Sequence, residues 1–279
     1  MGRTEEPTRE KREGGSGMTD LARRRILESF GAVMTGAVGM GVGHESTIRA
    51  NVVDPSDAWE WRSLESDAVA HRAYALYPDG SCMYAVFGSV ITLLAEKYGA
   101  PFSGFPITMM RYGAEGAFYG SLCGAANAAA ALIGLFYPSM EQKGIREKMI
   151  QELFAWYERS EFPNWSPLKT DFEGVLPRSV SGSVLCHISM GHWCRESGKG
   201  VASADRKERC RRLSAEVAAR VTELLNHASD PARQFASLPT ETTGCTGCHS
   251  PKGPQPDSAT SMRCDACHVM RKDHPNKFE

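Results

Sequence analysis

The chain has 279 residues, 42% of them hydrophobic, enough to bury one main domain with appendages. Its formal net charge of −1 leaves no broad basic surface for a polyanion, so nucleic acid is not expected among its partners. No uninterrupted apolar run reaches the roughly eighteen residues a spanning helix needs. The nearest candidate, "LCGAANAAAALIGLFYP", is short and carries Asn127, so it reads as a buried helix and no transmembrane segment is expected in the mature protein.

Residues 1–50 are expected to form a polar start followed by an export leader. "MGRTEEPTREKREGGSG" is polar and Gly-rich, the composition of a disordered segment or of residues preceding the true start. In "ARRRILESFGAVMTGAVGMGVG", Arg23 and Arg24 precede Ile26, Leu27 and a weakly apolar Gly/Ala stretch. That is the form of a twin-arginine export signal and predicts a periplasmic protein. The alternative is a basic-ended amphipathic helix in a cytoplasmic protein. No A-x-A cleavage site follows to mark where a mature chain would begin.

Residues 51–228 alternate apolar helical stripes with short Gly/Pro breaks and predict a mainly α domain. Asp79-Gly80-Ser81 is a turn-and-cap signal, and Val86, Val90, Leu93 and Leu94 follow at helical spacing, so Cys82 is expected in or beside a first helical turn. Gly113, Gly116, Gly120 and Gly124 recur every three or four residues beside Cys123, which predicts one glycine face on a helix. Such a face suits close approach by a second helix or by a cofactor. The final helix, "DRKERCRRLSAEVAARVTELLNH", carries Leu213, Val217, Val221 and Leu224 in one stripe, which Cys210 extends inward. Cys210 also stands among Arg206, Lys207, Arg209, Arg211 and Arg212, company that favours a thiolate. Alternatively it is a small buried hydrophobe beside a solvated basic edge.

In residues 229–279 Pro, Ser, Thr, Gly and charges dominate and no apolar period survives, so a largely irregular segment is expected, ordered by something other than its own packing. It contains "CTGCHSPKGPQPDSATSMRCDACH", two Cys-x-x-Cys pairs, each followed by histidine. The fifteen residues between Cys248 and Cys264 would suit a four-cysteine zinc site. Zinc leaves both histidines unexplained, whereas covalent haem attachment requires two thiols for the porphyrin vinyl groups and an adjacent imidazole under the iron. One such motif would arise by chance about 0.01 times in a chain of this composition. Two haem c groups are therefore expected, attached through Cys245, Cys248, Cys264 and Cys267, with His249 and His268 as proximal ligands. For the distal ligands His274 is nearest in sequence and His187 is a second candidate; His44, His71, His192, His227, Met262 and Met270 complete the set.

Five cysteines remain: Cys82, Cys123, Cys186, Cys194 and Cys210. An exported protein could form two disulfides and leave one thiol free, or four of the five could hold an iron-sulfur cluster, although their spacing matches no compact ferredoxin run.

The stretches "DGSCMYAVFGSV", "RYGAEGAFYGSLCGAANAAAALIGLF", "SVLCHISMGHWC" and "RKERCRRLSAEVAARVTELLN", followed by two Cys-x-x-Cys-His motifs, resemble the split-Soret cytochromes c, within the redox-active proteins named for a C…GCAxxG…C…C pattern. The resemblance covers roughly residues 55 to 279. It implies a mainly helical homodimer with two stacked c-type haems per chain, bis-histidine ligation shared between chains, and an iron-sulfur centre, 2Fe-2S among the options. Carried onto this sequence it assigns Cys82, Cys123, Cys194 and Cys210 to the centre, with Cys186 as a candidate to displace Cys194. Where the pattern asks for Gly-Cys-Ala-x-x-Gly, this chain has Leu122, Cys123, Gly124 and then Asn127.

The reading that follows is an exported electron carrier acting with redox partner proteins. A small-molecule oxidoreductase, using a spare cysteine with His187 and His192, is the first alternative. A zinc-ribbon module is the second.

Overall fold

This computed structural model describes residues 59–268, apart from 229, 231, 237–243 and the side chain of residue 115. Arg23, Arg24, His44, Met270 and His274 lie outside the described residues.

The central element is α1, Ser66–Tyr98. Its second half is apolar on nearly every side, from Met83 and Val86 through Phe87, Val90, Ile91 and Leu94, so it can be stable only where other helices surround it. The Asp79-Gly80-Ser81 signal appears as a break: Gly80 and Ser81 leave helical geometry, Ser81 at φ 64, and the helix restarts at Cys82. Gly80 is required there, because a methyl group at its position would strike the Tyr84 ring. By length and mean hydropathy α1 is the one described helix that could cross a membrane, but 61% of its most apolar window is buried inside the fold. It is a core helix.

Around it pack α2, Gly124–Phe136, and α5, Ala204–Asn226, with α3, Lys143–Arg159, outside α2. The α2 stripe of Ala125, Ala126, Ala128 and Ala129 is fully buried, its small side chains letting neighbouring backbones close in. Helix α5 presents the expected stripe of Leu213, Val217, Val221 and Leu224, and its N-terminus is capped by Ser203 Oγ, which accepts from the Arg206 N–H at 3.1 Å. Between α3 and α5 lie a two-residue antiparallel pair, β1 Glu161–Phe162 with β2 Ser179–Val180, and α4, Cys186–Ser197. The mainly α expectation therefore holds.

The expected glycine face does not form. Gly113 ends a 3-10 turn, Ile107–Gly113; Gly116 and Gly120 take positive φ in the connection; Gly124 opens α2. Positive φ at Gly116, Ala117 and Phe118 breaks any continuous right-handed helix, and a side chain at Gly113 would collide with Met83. Close approach was the correct part of that reading, and a shared helix was not.

The C-terminal segment is irregular, as its composition predicts, yet it is held by side chains of its own. Met262 and Phe235 pack against the main core. Glu152 of α3 accepts from Arg220 of α5 at 2.8 Å and from Arg233 at 3.2 Å, and receives the Ala236 N–H at 3.3 Å.

Candidate metal centre and haem-binding tail

Cys123 and Cys186 are distant in sequence and become neighbours through one piece of backbone pairing. Leu122 and Leu185 form an antiparallel bridge, in which the Cys123 N–H donates to Val184 O at 2.8 Å and the Cys186 N–H to Ser121 O at 2.8 Å. Cys123 is then the N-cap of α2 and Cys186 the first residue of α4, while Cys82 stands in the first turn after the α1 break. Three thiols thus sit at helix starts, where free N–H groups and the helix dipole favour an anion. The fourth, Cys210, faces them from α5.

Together Cys82, Cys123, Cys186 and Cys210 line a cavity of about 340 Å³, with Tyr77 and Phe118 also on its wall. A water molecule occupies about 30 Å³, so the space accepts a polyatomic group. Gly124 keeps it open, since a methyl group there would meet both the Gly113 carbonyl oxygen and Cys82 Sγ. Cys194, later on α4, does not line the cavity, nor do His187 and His192.

Burial dominates the electrostatics of these thiols. It pushes Cys82 up strongly and Cys123 up as well, the latter offset by the Tyr157 hydroxyl and the N–H groups of Ala126 and Ala125. Burial also raises Cys194, and Cys210 nearby adds to the rise. The counterweight is Arg209, 2% exposed, whose Nη1 lies 3.8 Å from Cys210 Sγ and whose Nη2 donates to Ser189 Oγ at 2.8 Å. Arg209 Nε, a buried donor, finds no acceptor. Tyr157 donates to the same Ser189 Oγ at 3.2 Å, so a buried polar chain runs behind the thiols.

The two Cys-x-x-Cys-His motifs fold alike. In the first, Cys248 and His249 donate their N–H groups to Cys245 O at 3.1 and 2.9 Å; in the second, Cys267 and His268 donate to Cys264 O at 3.1 and 2.9 Å. A single helical turn puts positions i, i+3 and i+4 on one side, which is what a porphyrin needs from two thiols and an imidazole. The side chains of Cys245 and Cys264 are in contact, so the motifs abut at their first cysteines. Among the described residues no three His, Cys, Asp or Glu side chains converge closely enough to hold a single metal ion.

Of the candidate distal ligands, His187 is exposed at the start of α4. His71 stacks edge-on against Trp165 and lies 3.6 Å from Asp67, and the His192 ring rests against Gly182. His227 caps α5.

Sequence reasoning counted Arg209 only among the basic neighbours of Cys210, and it passed over Asp257. Arg209 was legible, because it stands four residues before Leu213 and eight before Val217, on the buried stripe of α5. Asp257, whose Oδ1 lies 2.8 Å from His249 Nδ1, was not, since the irregular loop between them carries no period.

Residues 84–224 match the C_GCAxxG_C_C family, described as redox-active. The chain is 32% identical over 278 residues to the split-Soret cytochrome c of Desulfovibrio desulfuricans, covering 93% of this chain and 98% of that one. The solved structure of that cytochrome, in which a novel iron centre is reported, superposes with a TM-score of 0.71 at 33% identity, over 79% of this chain and 94% of the other. The chain belongs to the split-Soret cytochromes c, within that wider redox-active family.

Proposed function

We propose that the protein is an exported di-haem c-type cytochrome that transfers electrons, with an iron-sulfur centre in its helical domain. The observation that carries this is the pair of Cys-x-x-Cys-His turns, alike in backbone and abutting at Cys245 and Cys264. Haems and cluster would supply one-electron chemistry. The chain's own residues would supply attachment and position: Cys245, Cys248, Cys264 and Cys267 would hold two haem c groups, with His249 and His268 as the proximal ligands.

For the iron-sulfur centre, the cavity favours Cys82, Cys123, Cys186 and Cys210 over a set containing Cys194. The residues fit such a group: four thiols surround one space, Gly124 leaves room for it, and Arg209 stands behind it as a buried cation. A 2Fe-2S centre is the form we favour.

The chain is read as a homodimer whose distal ligands, His187 or His274, cross to the partner's haems. Exposure of His187, and of Met109, Tyr112, Phe118 and Tyr119 in the connection before α2, supports a surface for a second copy and for redox partners. Arg23 and Arg24 of the leader support a periplasmic location.

Carbon monoxide tests the carrier reading. Histidine on both faces of each iron leaves no open position, so the reduced native protein should keep a low-spin spectrum under carbon monoxide. Uptake by either haem without denaturation would overturn it in favour of a ligand-binding enzyme.

A further inference from the structure

Arg209 is a buried guanidinium that forms no ion pair with a carboxylate among the described residues. Its Nη2 is anchored on Ser189, at 2.8 Å to Oγ and 3.5 Å to the carbonyl oxygen, and Ser189 Oγ is itself held by Tyr157 and by Ser181 at 3.0 Å. Its Nη1 points at Cys210 Sγ, 3.8 Å away, and Nε has no acceptor. Of the carboxylates on the same helix, Glu208 is bonded to Tyr74 and Arg212 at 2.8 Å each, and Glu216, bonded to the backbone of Asn164 and Trp165, feels the Arg209 charge without forming an ion pair with it. Burying a cation this way is costly unless an opposite charge lies beside it. The groups beside it are Cys210, Tyr157 and Cys123, two of which line the cysteine cavity. Thiols are neutral and cannot balance it; thiolates bound to a metal can.

We infer that Arg209 is a positioning residue of the cysteine centre, a built-in counter-cation that donates to the Cys210 sulfur and holds the reduction potential of the bound cluster up. The inference rests on the iron-sulfur reading above. Reduction adds one negative charge to the thiolate-bound centre, and a fixed cation beside it stabilises the reduced form more than the oxidised one. Ser189 sets the direction of the guanidinium, so that its second nitrogen meets sulfur.

The test is a redox titration of the holoprotein with dithionite, following cluster and haems together by electron paramagnetic resonance. Arg209→Gln should cut the ratio of reduced to oxidised cluster at a fixed potential tenfold or more, about 59 mV for a one-electron couple, while both haem potentials stay in place. Arg209→Lys, which keeps the charge without the planar fork, should recover part of that loss. If Arg209→Gln does not retain iron, Ser189→Ala is read instead, and should shift the cluster in the same direction by misaiming the guanidinium. An unchanged cluster potential in the variant that retains iron overturns the inference, as does a uniform shift of cluster and haems. Iron equal to haem in the unmodified protein would instead remove the cluster reading itself, and the role of Arg209 with it.

Discussion

His249 Nδ1 and Asp257 Oδ1 lie 2.8 Å apart, so the imidazole that follows the first Cys-x-x-Cys pair has a carboxylate behind it. A carboxylate accepting from an imidazole makes the other ring nitrogen a stronger donor to iron and stabilises the oxidised metal. Asp257→Asn should therefore raise the potential of the haem at Cys245 and Cys248, by on the order of 59 mV, a tenfold change in its redox ratio. The haem at Cys264 and Cys267 should not move. A voltammetric titration resolving the two haems checks this, and equal shifts in both would contradict it.

Glu152 carries the link between the helical body and the start of the tail. It is 8% exposed and shared by Arg220 and Arg233, so Glu152→Ala takes away the carboxylate that Arg233 pairs with and leaves Arg220 with Glu223, at 3.3 Å. Arg220 retains some contact with water, which places the cost at about 3 kcal/mol, the low end for a broken buried pair. Urea denaturation measures that loss. Limited trypsin digestion should show Arg233 cut earlier than in the unmodified protein.

How much of this was legible in the sequence depended on local period. The stripe of α5 and the restart of the helix at Cys82 follow from spacing alone, and both appear as read. The glycine series failed because its spacing imitates a helix while three successive residues, Gly116, Ala117 and Phe118, adopt left-handed geometry. The meeting of Cys123 and Cys186 depends on the Leu122 and Leu185 bridge, a long-range pairing of two short extended segments that no periodicity announces. The haem motifs needed no such contact, since all five residues of each lie in one turn.

Glu216 makes stability depend on pH. Burial pushes its carboxyl up from 4.5 to about 7, against the pull of the Trp165 and Asn164 N–H groups. The folded state thus holds this proton more tightly than the unfolded chain. Its favourable contribution is complete below about 4.5 and is lost as pH rises through about 7. At about 1.4 kcal/mol per pH unit the loss amounts to roughly 3 kcal/mol. Melting temperatures should fall between pH 5 and pH 8, and Glu216→Gln should flatten that fall.

Gly124→Ala tests the cavity independently of the tail. The added methyl group meets Cys82 Sγ and the Gly113 carbonyl oxygen, an overpacking worth about 1–3 kcal/mol. Iron bound outside the haems should drop sharply, and covalently bound haem should be unchanged. Unaltered non-haem iron would mean that Gly124 does not border the centre.

The most direct measurement is total iron against covalently bound haem, in protein purified without oxygen from a host that matures c-type cytochromes. Two haems with a two-iron cluster give about two irons for every haem, the excess disappearing when Cys82, Cys123, Cys186 or Cys210 is replaced by serine. One iron per haem would contradict the account, leaving a di-haem carrier whose other cysteines serve only packing.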